Sequence, residues 1–253
     1  MKKLITTLAA GAAAISLMGQ ASAKIPAPEP EDDPGAVHSY ILLDRTGSMS
    51  SIWDEALTSV NAYAASVGEA DEGEIEGDDI KTDVTLAIFD YQDGMQFDVL
   101  RDKVTAENWT NVTNDEANPR GMTPLFDAIG RIISRAEADN PEKAVIVIMT
   151  DGLENSSREL TRDGAKAALD RAEAKGWEVV FLGAEFARFD DAEAVGVSAS
   201  KTMAVGQGSM RESMSALAKK SRAYGKGEEA EIIFDEEDRA IADEEGVKQR
   251  KGQ

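Results

Sequence analysis

The feature that most constrains this chain is the run Ala144-Val145-Ile146-Val147-Ile148-Met149, the most apolar stretch beyond the N-terminal region, with no polar alternation. A strand with one wet face alternates, so an unbroken run of this length predicts a strand covered on both faces, in the middle of a parallel sheet. Residues 39–43 (SYILL) and 178–182 (EVVFL) read as further buried strands, 84–89 (VTLAIF) is rich in β-formers, and 95–100 (MQFDVL) alternates like an edge strand. Between them, Trp53, Ala56, Leu57, Val60, Ala64 and Val67 recur at helical spacing, as do Leu125, Phe126, Ile129, Ile132, Ile133 and Ala136. Ala165, Ala168, Leu169 and Ala172 mark a third helix that stops near Gly176. A short helix near 190–195, a short strand near 201–205 and a helix near 209–223 complete the set. The alternation, with one hairpin at 91–95 (YQDGM), predicts an α/β fold: a three-layer, doubly wound, mostly parallel sheet with one antiparallel edge strand and helices on both faces.

The ends read differently. Lys2 and Lys3 precede an apolar stretch from Leu4 to Met18, and Ala21-Ser22-Ala23 is a small-x-small cleavage site, so residues 1–23 have the layout of a secretory signal peptide. The stretch is shorter than the roughly 20 residues that span a bilayer. The expectation is an exported protein, periplasmic or secreted, with no membrane insertion after cleavage. Residues 24–36 (KIPAPEPEDDPGA) read as a Pro-rich acidic linker, 37–224 as one domain, and 225–253 as a charged C-terminal tail, weakly ordered or adding a strand and a helix around Ile232-Ile233-Phe234.

Composition removes several classes of function. The chain has no cysteine and one histidine, His38, which excludes disulfide scaffolds, Cys-based zinc sites, iron–sulfur clusters and thiol nucleophiles. His38, placed just before the first strand, reads as structural. Forty-eight acids against 27 bases give a net charge of −21, which repels phosphate backbones and argues against nucleic acid as a partner. Residues 69–79 (EADEGEIEGDD) carry seven acids without the ligand alternation of an EF-hand and read as a solvated loop.

In such sheets chemistry belongs to the loops at the carboxyl ends of strands. The first is Asp44-Arg45-Thr46-Gly47-Ser48-Met49-Ser50. In an extended turn Asp44, Thr46 and Ser48 point the same way and present three oxygens, a donor set suited to a hard cation. Equally, Thr46, Ser48 and Ser50 are residues that cap the helix starting near Trp53. The second loop is Gly121-Met122-Thr123-Pro124, where Thr123 is a ligand or an N-cap before a helix-starting Pro124. The third is Thr150-Asp151-Gly152, a ligand loop or an ordinary turn. Asp90, ending a strand, faces the rim of this site or simply ends its strand, and Trp53 reads as core.

Taken together, Asp44-x-Thr46-x-Ser48, Thr123 before a helix and Asp151-Gly152 after a hydrophobic strand resemble the metal-ion-dependent adhesion site of von Willebrand factor A domains, over roughly residues 37–205. The family usually has Ser where this chain has Thr46, which keeps the hydroxyl and adds a methyl. The resemblance implies that Thr46 and Ser48 coordinate Mg²⁺ (or Mn²⁺ or Ca²⁺) directly, that Thr123 does so directly or through water, and that Asp44 and Asp151 hold metal-bound waters. It also implies a protein partner that offers an Asp or Glu carboxylate to the ion, rather than an enzyme. The alternative is a Mg²⁺-dependent phosphoryl-transfer hydrolase with Asp44 as nucleophile, weakened by Thr46 where such enzymes place a second Asp.

Overall fold

In a computed structural model, residues 36–69, 80–184, 192–193 and 195–251 are described. The expected signal peptide, nearly all of the linker, the 70–79 part of the acidic loop and most of the expected helix near 190–195 lie outside these residues.

The apolar run becomes β4 (Lys143–Thr150), hydrogen-bonded in parallel to β1 (Val37–Asp44) on one side and to β5 (Glu178–Ala184) on the other. The strand order is β3-β2-β1-β4-β5-β6, with β2 spanning Thr82–Tyr91, β3 Met95–Thr105 and β6 Thr202–Val205. Five strands are parallel and β3 is an antiparallel edge strand, as the sequence predicts. The lack of polar alternation in β4 has a direct cause. Val145, Val147 and Met149 enter the core on one face of the sheet, whereas Ala144, Ile146 and Ile148 enter the core on the other. Tyr40 and Leu42 of β1 divide from Ile41 and Leu43 in the same way. Each Val, Ile, Leu and Met among these contributes roughly 1.5–3 kcal/mol by leaving water, and Ala144 less.

Helices α1 (Trp53–Ser66) and α4 (Met210–Lys226) cover the first face. Helices α2 (Leu125–Asp139) and α3 (Arg162–Ala174) cover the second. Trp53 is core, donating its indole N–H to the carbonyl of Ala117 at 3.0 Å. His38 lies inside β1 rather than before it, and its Nδ1 meets Asp83 of the neighbouring strand at 3.0 Å, a structural pairing.

Of the strand and helix expected after residue 224 as the alternative to a weakly ordered tail, helix is present and, among the described residues, no strand is. Gly227 (φ 74°) ends α4, and two short helices follow, α5 (Glu236–Ile241) and α6 (Glu244–Lys251). Ile232, Phe234, Ala242 and Val247 are buried. The segment covers the open side of β6: Glu244 accepts from the Ala204 N–H at 3.2 Å, and the Gly206 N–H donates to the Ala242 carbonyl at 2.8 Å. An uncovered edge strand invites pairing with other chains, and here a helix start closes it. Among the described residues, no helix is long and apolar enough to cross a membrane.

Because the strands flanking the β1/β4 junction connect in opposite directions, the carboxyl ends of β1 and β4 mark the crevice position that such sheets have where strand order reverses. Leu43 pairs with Met149 in register, which sets Asp44 beside Thr150.

Candidate metal centre

Three strand-end loops meet at that crevice. The β1 loop leaves the extended path after Thr46 (φ −69°, ψ 168°) and enters a 3-10 turn over Gly47–Ser51. Thr46 and Ser48 therefore meet through a turn that folds back, not through extended alternation, with their hydroxyl oxygens 3.1 Å apart. The Thr123 hydroxyl donates to Thr46 Oγ1 at 3.3 Å, and the Ser48 hydroxyl donates to Asp151 Oδ1 at 2.7 Å. Asp44 is fixed at both oxygens: Oδ1 accepts the Thr46 N–H at 2.7 Å, and Oδ2 accepts the Thr150 hydroxyl at 2.6 Å. All five residues singled out from the sequence thus stand in one connected set, with Ser48 exposed and Asp44, Thr46, Thr123 and Asp151 buried.

The hydroxyls are not spent on capping. The N-cap of α1 is Ile52, with no side-chain cap, and Ser50 donates to the Gly47 carbonyl at 2.7 Å. At α2 the helix begins at Leu125, with Pro124 at the N-cap rather than inside the first turn, again without a side-chain cap. The orphan N–H groups there are satisfied from the loop after β4. Asn155 Oδ1 accepts from the Thr123 N–H at 2.9 Å, Glu154 from Phe126 at 2.9 Å and Ser157 from Asp127 at 3.1 Å. Asp127 returns the contact by accepting the N–H groups of Arg158, Glu159 and Leu160. With capping handled by this latch, the Thr123 side chain is left facing the other oxygens.

Two glycines allow the close approach of these loops. A Cβ on Gly152 would stand 3.2 Å from Thr123 Oγ1, 3.6 Å from Ser48 Oγ and 3.9 Å from Asp44 Oδ2, within the space those oxygens share. Gly121 holds φ 71°, and a Cβ there would meet the Tyr91 carbonyl at 2.5 Å. Its loop is therefore drawn tight against β2, where Tyr91 and Met122 exchange N–H···O bonds of 2.9 and 3.1 Å.

Electrostatics distinguish the two acids of this set. Burial pushes the Asp44 carboxyl up to about 7, hydrogen bonds from Thr150 and Thr46 only partly offset this, and the charge of Asp151 adds to it. Burial also raises Asp151, against a hydrogen bond from Ser48. Neither carboxylate has a Lys or Arg partner among the described residues. The nearest guanidinium in sequence, Arg45, turns away to Asp90 at 2.6 Å and Asp98 at 2.7 Å. Asp90, fully buried, also takes Arg120 at 3.2 Å, so it anchors the site's flank instead of facing its rim. Among the described residues no three His, Cys, Asp or Glu side chains cluster to hold a metal. The donor set is instead three hydroxyls and two carboxylates, all oxygen, which matches the hard divalent cations. Sequence reading places Thr150 in the third loop without a role of its own and gives Asn155 none at the site, yet Thr150 helps to fix Asp44 and Asn155 fixes Thr123. Thr150 carries a signal, since it is a hydroxyl residue at the end of the most buried strand.

No protein-family profile matches the chain, and no curated protein matches it in sequence. Solved structures do match in three dimensions. Proximal thread matrix protein 1 from the mussel byssus aligns at TM-score 0.52 and 14% identity over 74% of this chain and 46% of the mussel chain, so the present chain spans less than half of that protein. Manganese-loaded Plasmodium vivax TRAP protein aligns at TM-score 0.51 and 14% identity, covering 75% of this chain and 74% of the other. The vWF domain of the type V pili tip protein Mfa5 from Porphyromonas gingivalis aligns at TM-score 0.52 and 12% identity, covering 73% and 94%. The chain has the fold of von Willebrand factor A domains.

Proposed function

We propose that this chain is an exported, divalent-cation-dependent protein-binding module in which Asp44, Thr46, Ser48, Thr123 and Asp151 hold Mg²⁺, Mn²⁺ or Ca²⁺ and a partner protein contributes an Asp or Glu carboxylate. The observation that carries this reading is the connected set of three hydroxyls and two cation-free carboxylates, packed so closely beside Gly152 that a side chain there would crowd them. A bound divalent ion supplies an electrophilic coordination position for an oxygen ligand from outside. The chain's own residues do the rest. Thr150 and the Thr46 N–H orient Asp44, Ser48 orients Asp151, and the Asn155 latch sets Thr123. The likeness in fold to a manganese-loaded protein and to a pili tip domain is consistent with this reading. The layout of residues 1–23 supports export, to the periplasm or the medium, and an N-terminus at Lys24 in the exported protein tests it.

The hydrolase alternative loses support from the same geometry. Both Asp44 oxygens already accept hydrogen bonds, and Thr46 rather than a second Asp stands where such enzymes place an acid/base. The binding reading is tested by titrating the purified protein with Mg²⁺, Mn²⁺ and Ca²⁺ in a calorimeter and by assaying partner capture from periplasmic and culture fractions with Mg²⁺, with EDTA and with Asp44→Ala. Ion binding and capture that both disappear in the variant are expected, whereas capture indifferent to all three conditions rejects the proposal.

A further inference from the structure

We propose that the rim beside the metal centre selects a partner segment bearing a second acidic side chain, which seats on Arg158 where its guanidinium lies over the Tyr91 ring. The inference rests on the reading of the centre as a carboxylate-capturing site and adds to it the character of the captured segment.

Four observations converge. Tyr91 ends β2 and is bridged to Met122, the residue before the site's Thr123. Arg158 Cζ stands 4.9 Å from the centroid of the Tyr91 ring. The Arg158 backbone is pinned, because its N–H donates to buried Asp127 at 2.8 Å, so the side chain springs from a fixed point. Finally, no carboxylate pairs with its guanidinium among the described residues. That last point stands out against its neighbours: Arg45 and Arg120 are on Asp90, Arg131 is on Glu159, Arg135 is on Asp102 and Arg171 is on Glu137. In a chain with 48 acids for 27 bases, an exposed arginine left without one, on the ring of the residue bridged to Met122, is charge held for an outside anion. Stacking on the ring strips water from the flat face of the guanidinium while leaving its edge open to a bidentate carboxylate. Met122 (49% exposed) and Leu153 (39%) add apolar surface on the two loops that supply Thr123 and Asp151. A peptide carrying two acids and an apolar residue between or beside them fits this mixture, and the chain's net −21 makes loss of the second contact costly in specificity rather than in long-range attraction.

The test is a peptide library with one fixed Asp and three randomised positions on each side, selected on the purified protein with Mg²⁺. Three extended residues reach about 10 Å, enough to sample the rim. Asp or Glu is expected to be enriched about tenfold over Ala at one or more flanking positions. The enrichment collapses in Arg158→Gln and falls partway in Arg158→Lys, while Mg²⁺-dependent selection for the fixed Asp persists in both. Independently, phenylglyoxal labelling of Arg158, read by mass spectrometry, falls with the selected peptide and not with its single-acid version. Mg²⁺-dependent capture with no flanking acidic preference, or a preference unchanged by Arg158→Gln, overturns this inference and leaves the metal-centre reading standing. Loss of all Mg²⁺-dependent capture overturns both. Binding of dextran sulfate through Arg158 in EDTA, with no peptide preference, overturns it in favour of a sulfated polysaccharide.

Discussion

Two groups of buried acids in this molecule, one at the outer edge and one at the candidate site, are treated in opposite ways. At the outer edge, around β6 and the C-terminal helices, each one has a cation: Glu178 takes Lys201 at 2.9 Å, Asp238 takes Lys220 at 3.1 Å, and Glu244 takes Arg239 at 2.9 Å and Lys248 at 2.8 Å. At the carboxyl ends of β1 and β4, Asp44 and Asp151 have only hydroxyl and amide donors. The titrations of Glu244 and Asp44 are shifted in opposite directions. Burial acts upward on Glu244, but hydrogen bonds from Lys248, Arg239 and the Ala204 N–H outweigh it and hold the group below its usual value. Asp44, without a cation, is pushed up to about 7. Asp127, buried and also without a cation among the described residues, accepts three backbone N–H groups instead. The outer edge thus pairs its buried acids with cations, whereas the crevice leaves Asp44 and Asp151 to hydroxyl and amide donors.

The comparison is open to direct attack, beginning with the largest effect. In metal-free protein Asp44 holds its proton more tightly folded than unfolded, so ionising it costs stability. That cost is absent below about pH 4 and complete above about pH 7. Thermal melts in EDTA should therefore show this group's contribution falling by a few kcal/mol as pH rises across that window, and Asp44→Asn should remove that slope. A slope unaltered in the variant breaks the contrast. Next in size, Mg²⁺ at a hundredfold excess over its dissociation constant should stabilise the protein by about 2.7 kcal/mol at pH 8, and by much less at pH 5.5, where protons compete for the carboxylates. For a domain of this size that is roughly a 5–10 °C rise in Tm, measurable by scanning fluorimetry.

The outer edge should respond with the opposite sign. Glu244, held below its usual value, contributes stability above about pH 4.5 that is lost as pH falls through its folded value. Glu244→Ala should cost about 2 kcal/mol at pH 7, by stranding the Ala204 N–H and two cations, while leaving the Mg²⁺ response intact. The smallest expected effect sharpens the contrast within the site itself. Asn155→Ala removes the acceptor for the Thr123 N–H, which should lower apo stability by about 1 kcal/mol yet weaken Mg²⁺ binding about tenfold by calorimetry.

The layers, the sheet type and the antiparallel edge were legible in the sequence because they follow from burial, and burial writes itself into local patterns: the two-sided run at 144–149, the helical stripes of α1 and α2. The five candidate site residues were legible because strand ends and loop motifs are local too. What was not legible involves contacts between distant segments. Nothing near Asp44 announces that Thr150 will donate to it, or that Arg45 will turn to Asp90 and Asp98. The loop 154–157 gives no local sign that it caps α2 in place of Thr123. The C-terminal segment misleads for a related reason. Its ten acids suggest solvation, but its few apolar residues, Ile232, Phe234, Ala242 and Val247, are spread across three pieces whose common target is visible only when β6 is in place.

By itself, then, the sequence determined the architecture, since hydrophobic periodicity dictates which faces leave water, and its strand-end loops pointed to five candidate residues only through their resemblance to a known family. Tertiary structure decided the chemistry of those residues. It freed three hydroxyls from capping, stripped two carboxylates of water without giving them a cation, and left Arg158 on Tyr91 with no acid of its own. Each of those outcomes depends on which partners arrive from elsewhere in the chain, and hydrogen bonds and charges, unlike burial, take their energy from the one neighbour that is within reach.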